Sequence, residues 1–195
     1  MPSSNKASTK KKTNPKKDSK IIVDVYVPKF DDLWNNHPNI LNIKACEEKN
    51  KITGDYLYDD QCAIALSYSL KKCKVNFNSL KVNKCACGYL RGAQDIANWL
   101  YNKKPFGDKV KWISINPLKY TDELEGKKGI VFFEDFWRRD TDKPDRRTGD
   151  HIDFWKSDKT TKFGSFSLWF DVAFQTEMRR SSYTKCKNIW FWEIE

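Results

Sequence analysis

Apolar positions recur along this chain in two rhythms, helical in its first half and strand-like in its second. Phe30, Leu33 and Trp34 fall on one side of a short helix predicted over Phe30 to Asn36. Lys44 to Tyr58 is polar, carries Gly54 and reads as loop. From Gln61 to Lys71 small and aliphatic residues fill most positions, which predicts a largely buried helix. Asp59 or Asp60 stands ready to cap it, and Lys71 and Lys72 complement the dipole at its far end. Tyr89, Leu90, Ala93, Ile96, Ala97 and Leu100 recur at steps of three and four, so an amphipathic helix is predicted over Gly88 to Tyr101. Later the period shortens. Gly129 to Phe133 is an apolar run of buried-strand type, and His151, Asp153 and Trp155 alternate with Ile152 and Phe154. Asn188 to Ile194 reads as a closing strand. Helices followed by strands predict a single α+β domain with its N-terminal helices packed on an antiparallel sheet.

Composition and charge narrow the classes. The chain has 195 residues with 39% hydrophobic and 14% aromatic side chains, enough to build one core. No apolar run approaches the roughly 18–20 residues of a membrane-spanning helix. The net charge is +10, but the first 20 residues hold seven Lys and one Asp and account for +6 of it. That segment is too polar to offset its ordering entropy, so residues 1–20 are expected to be a disordered Lys-rich leader and 21–195 the folded domain. The leader lacks the apolar stretch of a secretory signal, which predicts synthesis in the cytoplasm without a signal peptide. No groove-reading helix, zinc finger or RNA-stacking signature accompanies the Lys run, so no nucleic-acid partner is expected.

The chain holds six Cys and only two His, which keeps the search for a catalytic pair small. Cys62 sits at the start of its predicted helix, where the positive dipole end favours a thiolate and unpaired amide N–H groups can receive an oxyanion. His37 lies in the polar turn WNNHPN and reads as structural or surface-exposed. His151 opens a strand after Gly149 and Asp150. A Cys at a helix start facing a His at a strand start is the papain-like arrangement. The residues alone also admit a papain-like hydrolase or deamidase acting on protein, or a basic binding protein with an inert buried cysteine.

The words around these residues carry more. YDDQCAIALS (58–67), GYLRGAQDIANWL (88–100), TGDHIDFW (148–155) and IWFW (189–192) resemble, in order, segments of the type VI secretion amidase effectors of the fourth subfamily. The resemblance spans Phe30 to Glu195. It implies a papain-like fold of NlpC type and an antibacterial effector delivered by type VI secretion. The implied reaction cuts the peptidoglycan stem between D-glutamate and meso-diaminopimelate in the periplasm of target bacteria. A cognate periplasmic immunity protein is the implied partner. By the same resemblance Cys62 is the nucleophile and His151 the base. An acidic residue is implied about eleven positions after the histidine, where this chain has Lys162. An ammonium there would oppose the imidazolium, which leaves Asp153, Asp158 or a neutral group as third member. Asp153 is favoured because it shares a strand face with His151. Arg91, Trp137 and Trp155 are candidate substrate contacts, and the charged loop Arg138 to Arg147 is a solvated face or a second contact.

This chemistry needs no cofactor. Cys85 and Cys87 have one residue between them and no matching second pair, which argues against zinc.

Overall fold

The computed structural model describes residues 4–14, 19–78, 80–157, 159–161 and 184–195. Two strands, β1 (Ser4–Asn14) and β2 (Ser19–Pro28), pair antiparallel, with Ser4 opposite Pro28. The hairpin spans the boundary expected at residue 20 between leader and domain. Backbone ladder bonds need no apolar partner side chains, and the run Ile21, Ile22, Val23, Val25, Val27 supplies a β-forming template for the polar segment to pair with. Val27 ends that strand inside the main core.

Helix α1 (Phe30–Asn35) forms where the spacing predicts and buries Phe30, Leu33 and Trp34. A one-turn helix, α2 (Pro38–Leu41), follows, its proline at the first turn where no N–H is needed. α3 (Cys62–Lys72) buries every residue from Ala63 to Leu70 except Tyr68. Its two buried serines are satisfied locally. Ser69 Oγ donates to Leu33 O at 2.5 Å, and Ser67 Oγ accepts from Leu90 N–H at 3.0 Å. Each hydroxyl thus meets a backbone group that would otherwise be buried at a cost of about 1–3 kcal/mol.

α4 (Ala93–Lys103) begins five residues later than the apolar spacing predicts. Gly88 adopts φ +78°, Gly88 N–H bonds to Cys85 O, and Leu90 bridges Lys84. A left-handed glycine closing a tight turn cannot continue a helix, so 85–90 folds as a turn.

The second half forms a five-stranded sheet. β3 (Trp112–Ile115), β4 (Lys128–Trp137), β5 (Gly149–Lys156), β6 (Lys159–Thr160) and β7 (Asn188–Glu193) stand in the order β3-β7-β4-β5-β6, every pairing antiparallel. A short helix, α5 (Tyr120–Leu124), crosses between β3 and β4. Alternation sends Ile130, Phe132, Ile152, Phe154 and Trp192 to the face that meets α1, α3 and α4. Val131, Phe133, Trp155, Ile189 and Phe191 go to the other face, under Leu124 of α5 and Cys186. Both faces are covered, which explains why β4 reads as an unbroken apolar run. Among the described residues no helix is long and apolar enough to cross a membrane.

Candidate active site

Cys62 is the first residue of α3 and is half-buried. Its own N–H donates to Asp60 Oδ1 at 3.2 Å, but the N-cap position is Gln61 and neither Asp59 nor Asp60 occupies it. Gln61, the residue before it, is clamped from both ends of its amide. Oε1 accepts from Cys46 N–H at 3.0 Å, while Nε2 donates to Cys46 O at 2.8 Å and Tyr58 O at 3.1 Å. The loop thus delivers the thiol to the helix start in a fixed frame. α3 then packs along β5, the strand that carries His151 and Asp153.

His151 lies opposite Phe133 in the β4–β5 ladder, and the two rings stack with centroids 6.2 Å apart. Past Phe133 the register breaks: Trp137 is the next residue of β4 to pair, with Gly149, and two extra residues are accommodated. Asp135 in this bulge has φ +52°, and its N–H is taken up by Asp150 Oδ1 at 3.0 Å. The bulge turns Phe136 onto the imidazole, with centroids 5.7 Å apart, so two rings fix its plane. Trp137 lies at the surface end of the same strand, its indole N–H donating to Asp150 O at 3.3 Å. A Cβ on Gly149 would meet that indole at 2.5 Å, which is why the position before Asp150 and His151 tolerates only glycine without a shift.

Asp153 Oδ2 is 3.9 Å from His151 Nε2. Its other oxygen, Oδ1, accepts from Phe154 N–H at 2.7 Å and Thr161 Oγ1 at 2.5 Å, and stands 3.7 Å from His37 Nε2. Thr161 Oγ1 in turn accepts from Asn39 Nδ2 at 3.2 Å. A buried carboxylate is therefore surrounded by donors and set between two imidazoles.

The model of the family described as "Type VI secretion system (T6SS), amidase effector protein 4" (Tae4) matches residues 58–192. The chain belongs to this family. No curated protein sequence matches it. Among solved structures, a chain of the Tae4/Tai4 effector–immunity system from Salmonella typhimurium is 16% identical, with a TM-score of 0.56, covering 87% of this chain and 99% of that one. A chain of the Tae4–Tai4 complex from Enterobacter cloacae is 18% identical, with a TM-score of 0.55 and the same coverage. Tae4 from Enterobacter cloacae by itself gives 18% identity, a TM-score of 0.54, and coverage of 87% and 98%. At these identities the likeness shows the fold, an α+β papain-like domain.

Against this amidase-effector frame, several positions differ from the sequence reading. Trp155 does not line a cleft. It is buried on the sheet face under α5, with its indole N–H donating to Leu124 O at 2.9 Å and its ring against Tyr120. The period-two alternation is right, but the face it selects near the end of β5 is core. Arg91 is exposed, its guanidinium 4.7 Å over the Tyr58 ring, beside the loop that leads into α3. The loop from Arg138 to Arg147 is irregular and mostly exposed, with Asp142 binding Thr148 and the Arg139 amide at its neck. Asp158 and Lys162 lie outside the described residues.

His37 is the residue that sequence reasoning undervalued. It is 1% exposed rather than at the surface, and it caps α2, with Nδ1 accepting from Asn39 N–H at 3.3 Å. That bond leaves the proton on Nε2, the nitrogen near Asp153. The dipeptide His37-Pro38 is a helix-start signal, but nothing local says that the cap packs on Phe154 of a strand far along the chain. Burial first, and then the charge of His151, push His37 from 6.5 down to about 3. Above pH 6.5 both folded and unfolded chains hold this imidazole neutral. As pH falls, the unfolded chain takes up a proton that the fold refuses, so stability drops between pH 6.5 and about 3, by at most about 1.4 kcal/mol per pH unit. His37→Asn keeps the cap and removes this group. The difference in thermal midpoint between wild type and variant should therefore change steadily in the variant's favour from pH 7 to pH 4.5. Parallel curves would assign the acid sensitivity to other groups.

Proposed function

We propose that this family member is a cysteine amidase that cuts the peptidoglycan stem at the D-glutamate–meso-diaminopimelate bond, with Cys62 as nucleophile and His151 as base. The observation that carries the reading is the packing of α3, which begins at Cys62, along β5, which presents His151 and Asp153 two residues apart. The family match over residues 58–192 spans all three.

The geometry supports a division of roles. His151 turns Nε2 toward Asp153, so Nδ1 is the nitrogen that serves the thiol. Cys62 Sγ attacks the amide carbonyl, and the first-turn amides of α3 stabilise the oxyanion. Imidazolium at His151 protonates the leaving amine, and an acyl-enzyme remains. Water, deprotonated by His151, then releases the D-glutamate carboxyl. Asp153 holds the ring and offsets its transient charge. Trp137 and Arg91 are exposed near the two ends of this arrangement and supply an aromatic wall and a cation for the carboxylate-rich stem. The effector would be carried by the type VI apparatus, act in the target's periplasm, and be held off in the producer by a cognate immunity protein, a reading supported by the family match and by the likeness to Tae4 chains paired with Tai4.

Purified sacculi incubated with the protein should release peptides that begin at meso-diaminopimelate and leave glycan-linked stems ending in D-glutamate, both identified by mass spectrometry. Intact sacculi together with cleavage of a protein substrate would instead favour a hydrolase of the same fold with another target.

A further inference from the structure

Three cysteines outside the proposed active site converge. Cys46 comes from the loop after α2, and Cys85 and Cys87 from the turn before α4. Their three Sγ atoms all lie within 4.8 Å of one another, and Cys46 Sγ and Cys87 Sγ are 3.3 Å apart. The sequence argued against zinc because Cys85-Ala86-Cys87 has no second pair. The third thiol lies 41 positions upstream of Cys87, where spacing rules do not look.

The turn is built as a ligand knuckle. Gly88 N–H bonds to Cys85 O at 2.8 Å, Cys85 N–H to Tyr89 O at 3.0 Å, and Gly88 takes φ +78° to close the reversal. Ala86 N–H is held by Glu48 Oε2 at 2.8 Å, which ties this turn to the loop bearing Cys46. A disulfide would use two of the three sulfurs and strand the third. A tetrahedral ion with bonds of about 2.3 Å sets its sulfurs about 3.8 Å apart, close to the spacing here.

We propose that Cys46, Cys85 and Cys87 bind one divalent ion of zinc type, pinning the 44–61 loop to the turn before α4. Binding exchanges three thiol protons for three metal–sulfur bonds. The fourth position goes to water, on the side where Cys87 is exposed while Cys46 and Cys85 are buried. The site is structural in its placement. Ile64 and Ala65 of α3 pack against Cys46 and Cys85, and Gln61 grips Cys46 through both its backbone groups. The metal therefore braces the residue that precedes Cys62.

The test uses the full chain kept under a thiol reductant, with elemental analysis after zinc loading and visible spectroscopy after cobalt(II) replaces zinc. One ion per chain and the d–d bands of tetrahedral cobalt thiolate are expected. Cys87→Ser, the exposed and least disruptive change, should weaken binding by more than about 100-fold, beyond what losing a hydrogen bond to a metal ligand costs, while Cys73→Ala should not. Substoichiometric metal, octahedral cobalt spectra, or unchanged binding in Cys87→Ser would overturn the proposal. So would an intact mass showing a Cys46–Cys87 disulfide in zinc-saturated protein. These readouts do not depend on catalysis, so the metal site and the amidase reading stand or fall separately.

Discussion

Replacing Cys62 with alanine is expected to reduce fragment release from sacculi to the level of untreated wall, a loss of about 10³-fold or more. The fold should survive. The side chain is half-buried at the edge of the main core, and alanine is a better helix former than cysteine. Removing one partly exposed sulfur costs about 1 kcal/mol or less in burial, which leaves the thermal midpoint within a few degrees. Cys62→Ser should be nearly as inactive, because a hydroxyl at the same place is far from ionised at neutral pH. Measuring turnover and melting together decides the matter. An active, folded Cys62→Ala protein would exclude the proposed nucleophile, while an inactive, unfolded one would call for the serine variant as the fair comparison.

The second large effect is expected at Asp153. Asp153→Asn keeps an oxygen where Phe154 N–H and Thr161 Oγ1 donate, so most of the buried hydrogen bonding is preserved. The amide NH₂ then takes the place of Oδ2, 3.9 Å from His151 Nε2. A donor there favours the imidazole tautomer protonated on Nδ1, the nitrogen needed as base. A fall of roughly 10²–10⁴-fold in kcat is expected, with a small change in melting. Nitrogen NMR of the imidazole should report the tautomer switch, which a merely structural role for Asp153 would not produce. Asp153→Ala should additionally destabilise, since two buried donors lose their acceptor at about 1–3 kcal/mol each. Wild-type turnover in Asp153→Asn would remove this residue from the mechanism and return attention to Asp158.

The sequence made some elements plain and others not. Where burial is one-sided and periodic, as in α1 and β5, the spacing of apolar residues located the element within a residue or two. The same rule failed at 88–92, because Tyr89 and Leu90 keep helical spacing with Ala93 and yet belong to a turn that Gly88 closes. β3 went unread: it is four residues long and only Ile113 and Ile115 alternate, too short a run to show a period.

Local order in the sequence was enough to specify a thiol at a helix start, an imidazole and a carboxylate two apart on one strand, and the layered class of the domain. Those depend on neighbours within a few residues, where periodicity and capping act. Everything that depends on closing long loops was settled only by folding. That includes the burial of His37 against Asp153, the placing of Trp155 in the core, and the meeting of Cys46 with Cys85 and Cys87. Contacts between distant segments are chosen by how the layers pack, and no short window of residues contains that information.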